Sequence, residues 1–150
     1  MEKAASTKTL EDPIAQRLGY MLRRASSAMM ADLGAALGEI GLRPVEGTIL
    51  ILVAANPGCI QSDLGRALGI KRANMVPLIA ALARRGLIEK APVDGRSLAL
   101  SLTREGEEMR ARADTIINAH EARFAALLGG SDQPALRAAL AAIAAHAREA

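Results

Sequence analysis

The hydrophobic period of the chain changes at Gly86. Before it, apolar side chains recur at helical spacing; after it, Leu98, Leu100 and Leu102 alternate with Ser97, Ala99 and Ser101, the period-two signature of a half-buried strand. "IEKAPV", Ile88 to Val93, precedes that strand, and Asp94-Gly95 between them is a tight-hairpin dipeptide. Pro92 has no N–H to give a second neighbour, so its strand is confined to an edge. A small two-stranded ribbon placed behind a run of short helices leaves few folds open.

The helices ahead of the ribbon narrow the choice. Gln61-Ser62-Asp63 opens a short helix through Leu68, Gly69 makes the turn, and Ile70 fills the space beneath it. The next helix lies in "GIKRANMVPLIAALARRGL", with Met75, Leu78, Ile79 and Leu82 as its stripe and Gly86 as its stop. Small Gly65 allows the two helices to cross closely over a shared core of Leu64, Leu68, Ile70, Met75 and Leu78. Helix, glycine turn, helix and hairpin is the winged helix-turn-helix order, which presents its second helix to a major groove.

Pro77 interrupts that second helix, where a proline costs about 3 kcal/mol. At 100° per residue, Ala73, Val76, Pro77, Ala80 and Arg84 point away from the core stripe. On such an outer face, water can meet the carbonyl of Ala73 that the proline leaves without a partner. Small apolar groups there permit close approach and can touch thymine methyls, leaving hydrogen-bonding readout to Arg72 and Asn74.

Long helices flank this middle. Asp12-Pro13 reads as a helix start, and Ile14, Leu18, Met21, Leu22, Ala25, Met29, Leu33 and Leu37 keep helical spacing up to Gly38. Arg43-Pro44 starts a second helix, "VEGTILILVAA", apolar nearly all round and ended by Asn56-Pro57-Gly58. Thr103 caps another long helix with the stripe Met109, Ala113, Ile116, Ile117, His120, Phe124 and Leu127. Gly129-Gly130 closes it, and a last helix begins near Asp132. The outer stripes exceed what a compact middle can cover, so they must bury against each other or against a second copy.

Charge and composition set further bounds. From Gln61 to Arg104 eight cations (Arg66, Lys71, Arg72, Arg84, Arg85, Lys90, Arg96, Arg104) stand against Asp63, Glu89 and Asp94, whereas the whole chain carries only +3. That basic middle is a footprint for a polyanion. With Tyr20 and Phe124 the only aromatics, stacking on single-stranded nucleic acid is excluded as a main mode. No apolar run approaches the length of a membrane span and no signal core opens the chain, so a cytoplasmic protein without membrane partners is expected. His120 and His146 have no second histidine or carboxylate at ligand spacing, and no nucleophile constellation or phosphate loop occurs. Metal sites, cofactors and enzymatic activity are therefore not expected.

The long first helix, "GCIQSDLGRALGIKRANMVPLIAALARRGLIEKAPVDGRSLALSLTREG" and the long C-terminal region together resemble the MarR (multiple antibiotic resistance regulator) family. The most specific stretch is "RRGLIEKAPVDGRSLALSLTREG", Arg84 to Gly106, with an Asp-x-Arg wing tip and a Leu-Thr-x-x-Gly helix start. The resemblance implies a mostly α fold with a small β-hairpin wing: a winged helix-turn-helix core at about 43–104 and dimerisation helices at about 13–38 and 104–150. Residues 1–12 would be a flexible tail and 13–150 a single domain.

It also implies a homodimeric repressor or activator, taken here as a repressor on a palindromic DNA operator, whose grip changes when a small, often phenolic, effector binds. Gln61 and Ser62 would meet phosphates, Lys71, Arg72, Ala73 and Asn74 would enter the major groove with Val76 and Pro77 behind them, and Arg96 would enter a minor groove. Lys71 and Pro77 depart from the family's usual residues at their positions. The effector would lie among Met21, Ala28, Ile49, Val53, Ile117 and His120, with Arg17 and Arg24 available to a carboxylate. An aromatic acid or its thioester fits those walls. Two other readings stand beside this one: a winged-helix protein-interaction module, and a redox-sensing regulator using Cys59, the single cysteine.

Overall fold

The computed structural model describes residues 9–146, so most of the tail expected at 1–12, and the last four residues, lie outside the described residues. The order is α1 (Leu18–Gly38), α2 (Pro44–Ala55), β1 (Cys59–Ile60), α3 (Gln61–Leu68), α4 (Arg72–Arg84), β2 (Ile88–Pro92), β3 (Leu98–Leu102), α5 (Arg104–Leu127) and α6 (Gln133–His146). The fold is mostly helical with a small antiparallel sheet, as the period change requires.

Three boundaries differ from the sequence expectation. Asp12 caps only a turn: its Oδ1 accepts from Ile14 N at 3.2 Å, and Arg17 is then extended, so the first helix starts at Leu18 rather than Pro13. The sheet has three strands in the order β1-β3-β2, because Cys59 and Ile60 pair with Leu100 and Ala99. Two residues are too few to display a period. Pro92 does sit on an edge strand, opposite Leu98. Finally, neither Asp94 nor Gly95 has a positive φ, which excludes the tight two-residue turn. The Asp94 carboxylate shapes a longer loop instead, accepting from Arg96 N at 2.9 Å and Ser97 N at 2.8 Å.

The core gathers Leu37, Ile49, Leu50, Val53, Leu64, Met75, Ile79, Leu82 and Leu100. Leu33 and Leu37 are the only buried residues of α1, and α6 has none. Pro44 at the first position of α2 and Glu46 three residues after Arg43 complete a capping box. Glu46 does more than favour a positive helix end. Its buried carboxylate accepts from Arg43 N at 2.9 Å and from the Arg43 guanidinium at 3.0 Å, with Arg85 at 3.6 Å. It thereby ties the start of α2 to the end of α4.

The helix after the wing is seated by Thr103, whose side chain accepts from Gly106 N at 3.0 Å and whose N–H donates to Leu87 O at 3.1 Å. A Cβ on Gly106 would lie 2.0 Å from that same Leu87 oxygen. Backbone cannot yield so far. Gly106→Ala is therefore expected to destabilise the fold by about 3 kcal/mol or more, read as a shift in the urea midpoint. A shift under about 0.5 kcal/mol would show that the junction gives way.

Candidate nucleic-acid interface

The glycine turn between α3 and α4 is built as the sequence requires. Gly69 adopts φ 66°, ψ 28°, and Ile70 N donates to Gly65 O at 2.9 Å. A side chain on Gly65 would meet Ile70 O at 2.9 Å and Met75 Cγ at 3.4 Å, so glycine sets the closeness of the two helices. Met75, Ile79 and Leu82 are buried, which fixes the rotation of α4 and leaves Ala73, Asn74, Val76 and Pro77 exposed. The helix continues through Pro77 to Arg84. Lys71 is extended at its N-cap and gives no side-chain cap.

The expected DNA-facing residues divide about α4. A cleft of about 490 Å³ between α3, α4 and the wing is lined by Gln61, Ser62, Arg72, Val76 and Arg96, joined by Arg66 and Lys90. A shallower groove of about 410 Å³ on the other flank holds Asn74 and Pro77 beside Arg43 and Leu78. Lys71 and Ala73 are exposed at the helix entry between them. Arg66, Lys90 and Arg43 were not among the site residues expected from sequence. The first two belong to the basic run that betrays the cleft, although Arg66 is partly neutralised by an ion pair with Asp63. Arg43 carried no signal beyond its place before Pro44.

At the wing tip, the N–H groups of Arg96 and then Ser97 hold the Asp94 carboxyl below the ordinary carboxylate range. Asp94 is thus an ionised organiser of the loop, and Arg96 projects from it. Among the described residues, Arg96 meets no carboxylate.

A second polar cluster ties α1 to α5. His120 is buried, and its Nδ1 lies 2.7 Å from Asp32 Oδ2, which also accepts from Arg123 at 2.6 Å. No carboxylate stands at ligand spacing from His120 in the sequence; the fold supplies one from 88 residues away, beyond any local spacing rule. His120 Nε2 is buried and has no partner among the described residues. Among the described residues no serine, threonine or cysteine hydrogen-bonds it, as a catalytic triad would require. Leaving such an atom unmet costs about 1–3 kcal/mol.

The MarR family model matches residues 40–97, the stretch from just before α2 to the loop of the wing ahead of β3. The repressor CouR bound to a 23-mer DNA duplex is 36% identical, with a TM-score of 0.84 over 91% of this chain and 99% of that one. The chain belongs to the MarR family. CouR bound to p-coumaroyl-CoA is 33% identical, with a TM-score of 0.82 over 91% of this chain and 98% of that one. The transcriptional repressor Rv2887 of Mycobacterium tuberculosis is 29% identical over 118 residues, 77% of this chain and 85% of its own length.

In this MarR-family regulator the eight expected effector residues occupy unlike surroundings. Ile49 and Val53 are buried and Ile117 half-buried where α2 and α5 meet, and His120 is buried on α5 against Asp32 of α1. Arg17, Met21, Arg24 and Ala28 are exposed along the first helix and its approach, Arg24 lying 5.9 Å from the Tyr20 ring centroid. The redox alternative fares poorly. Burial, and then the charge of Asp63, push the Cys59 thiol up, away from the thiolate that oxidants attack.

Asp32 supplies a pH test. Hydrogen bonds from His120 and then Arg123 lower its pKa below the ordinary carboxylate value. The stabilisation is therefore fully present above that ordinary value and is lost as pH falls through the lowered one. Acid denaturation should steepen below about pH 4 in the wild type and flatten there in Asp32→Asn. Identical acid profiles would show that Asp32 contributes no linked protonation.

Proposed function

We propose that this protein is a dimeric, effector-responsive repressor that grips a palindromic operator with two copies of α4 and the wing. The carrying observation is the cleft between α3, α4 and the wing, where Arg66, Arg72, Lys90 and Arg96 converge. Four cations around one groove suit phosphates on both sides of an inserted helix. CouR, seen with a DNA duplex, supports the reading through its 36% identity. In this assignment Gln61 and Ser62 meet backbone phosphates at the start of α3, Arg72 and Asn74 read bases from the two flanks of α4, and Lys71, Ala73, Val76 and Pro77 give close approach.

A second copy would cover apolar surface that one chain leaves in water. Leu18, Met21, Met30, Leu127, Leu136, Leu140 and Ile143 are all exposed large hydrophobic residues, gathered on α1, α6 and the end of α5. The effector assigned here is an aromatic acid or its thioester, held near Ile49, Val53, Ile117 and His120, with Arg17 or Arg24 meeting a carboxylate. Relatives support the class: one CouR structure holds p-coumaroyl-CoA, and Rv2887 has a structure with p-aminosalicylic acid. Binding between α1, α2 and α5 would change the spacing of the two recognition helices and lower operator affinity.

Two measurements test the DNA half. Arg96→Ala should weaken operator binding and reduce the slope of log K against log salt by about two phosphates' worth, one per protomer, roughly 1.8. An unchanged slope removes the wing from the model. Asn74→Ala should cost about 1–3 kcal/mol of discrimination at one base position per half-site; uniform weakening across operator variants would make Asn74 a positioning residue. For the effector half, titrating aromatic acids and their CoA thioesters against the protein–operator complex should release DNA, with free acids requiring about tenfold more ligand in Arg24→Ala. Release by none of them rejects the effector class, and undiminished release in the variant rejects the arginine.

A further inference from the structure

A helix seated in a major groove has a sugar-phosphate strand along each of its flanks. Toward the wing, the cleft beside α4 collects Arg66, Arg72, Lys90 and Arg96. The opposite flank has its own groove of about 410 Å³. Val45, Ile70 and Leu78 are half-buried along its floor, and Arg43, Asn74 and Pro77 are exposed at its rim. Among the described residues, Arg43 is the one charged residue that lines it.

That arginine is held in place. Its backbone N–H donates to Glu46 Oε2 at 2.9 Å, and its Nε and Nη2 donate to Glu46 Oε1 at 3.2 and 3.0 Å. Buried Glu46 also faces Arg85 Nη1 at 3.6 Å, so two guanidinium groups share one carboxylate and one positive charge is left over. Nη1 of Arg43 and the second hydrogen of its Nη2 donate to nothing among the described residues. The side chain keeps 64% of its surface in solvent. A fork fixed along one edge and free along the other is pre-organised for an oxyanion and loses little rotamer freedom on meeting one.

We propose that Arg43 binds a phosphodiester of the operator strand that runs along the flank of α4 away from the wing, with the apolar floor taking the adjoining deoxyribose. This rests on the reading of the chain as an operator-binding regulator and adds the backbone contact on the flank where Asn74 reads. Base reader and anchor then stand side by side at one groove, and Glu46 ties the anchor to the end of α4 through Arg85. The anchor itself carries no sequence information; it sets the register in which Asn74 meets its base.

The test uses a duplex that the full-length wild-type protein selects from a random-sequence library, with its phosphates replaced one at a time by uncharged methylphosphonates. On wild-type protein, sensitive phosphates should border each entered major groove on both strands, each costing about fivefold in affinity. In Arg43→Gln, which removes the charge but keeps a donor toward Glu46, one such phosphate per half-site should become silent while those on the wing side stay sensitive. The slope of log K against log salt should fall by roughly 1.8 for the dimer, and every base-pair variant of the duplex should weaken by the same factor. An unchanged slope, or a phosphate profile in Arg43→Gln that matches wild type, overturns this inference and leaves the operator reading intact. Should Arg43→Gln fold poorly, the wild-type profile decides alone, since sensitivity along a single strand border overturns the inference equally. If the protein selects no duplex, the operator reading falls and this inference with it.

Discussion

The carbonyl oxygen of Leu87 is the pin on which the molecule turns. It accepts the N–H of Thr103 and leaves no space for a side chain at Gly106, while the N–H of the same residue donates to Leu82 O at 3.0 Å where the chain leaves α4. The end of α4, the wing and the long α5 are therefore welded at one residue. A second tie, the buried Glu46 carboxylate with Arg43 and Arg85, joins the start of α2 to the far end of α4. α2 and α5 are thus joined to α4 through backbone and through an ion pair whose carboxylate is buried. Small shifts at a rigid junction become large ones at the end of a lever.

Legibility in the sequence followed the range of the forces involved. The elements from Gln61 to Leu102 were readable because glycine turns, prolines and stripes act over a few residues. Gly69, Gly86, Thr103 and Asp132 end or begin helices where the sequence places them. The first helix was read too long because Asp12-Pro13 satisfies a local turn as readily as a helix start. β1 was invisible: two residues paired with β3 across forty positions have no pattern of their own.

The site shows the same division. The outward face of α4 was legible from helical periodicity alone, since Met75, Ile79 and Leu82 dictate it. That Arg72 and Asn74 serve different grooves, and that Arg43 stands beside Asn74, required the tertiary arrangement. The His120–Asp32 pair was likewise beyond reach, since nothing in either helix alone announces the other. Lone charged residues become a site only when folding brings them together.

The absence of buried residues on α6 reaches beyond architecture. A fourteen-residue helix rich in alanine is marginal in water by itself. Within one chain its side chains gain almost no burial to offset the entropy of ordering it. Its order therefore belongs to the assembly. For a paired molecule, the population of folded C-terminal helix becomes a function of how many copies the cell holds, so that synthesis rate and the structural integrity of the regulator are coupled by mass action. Scarcity would erode the very surface that lets two copies meet.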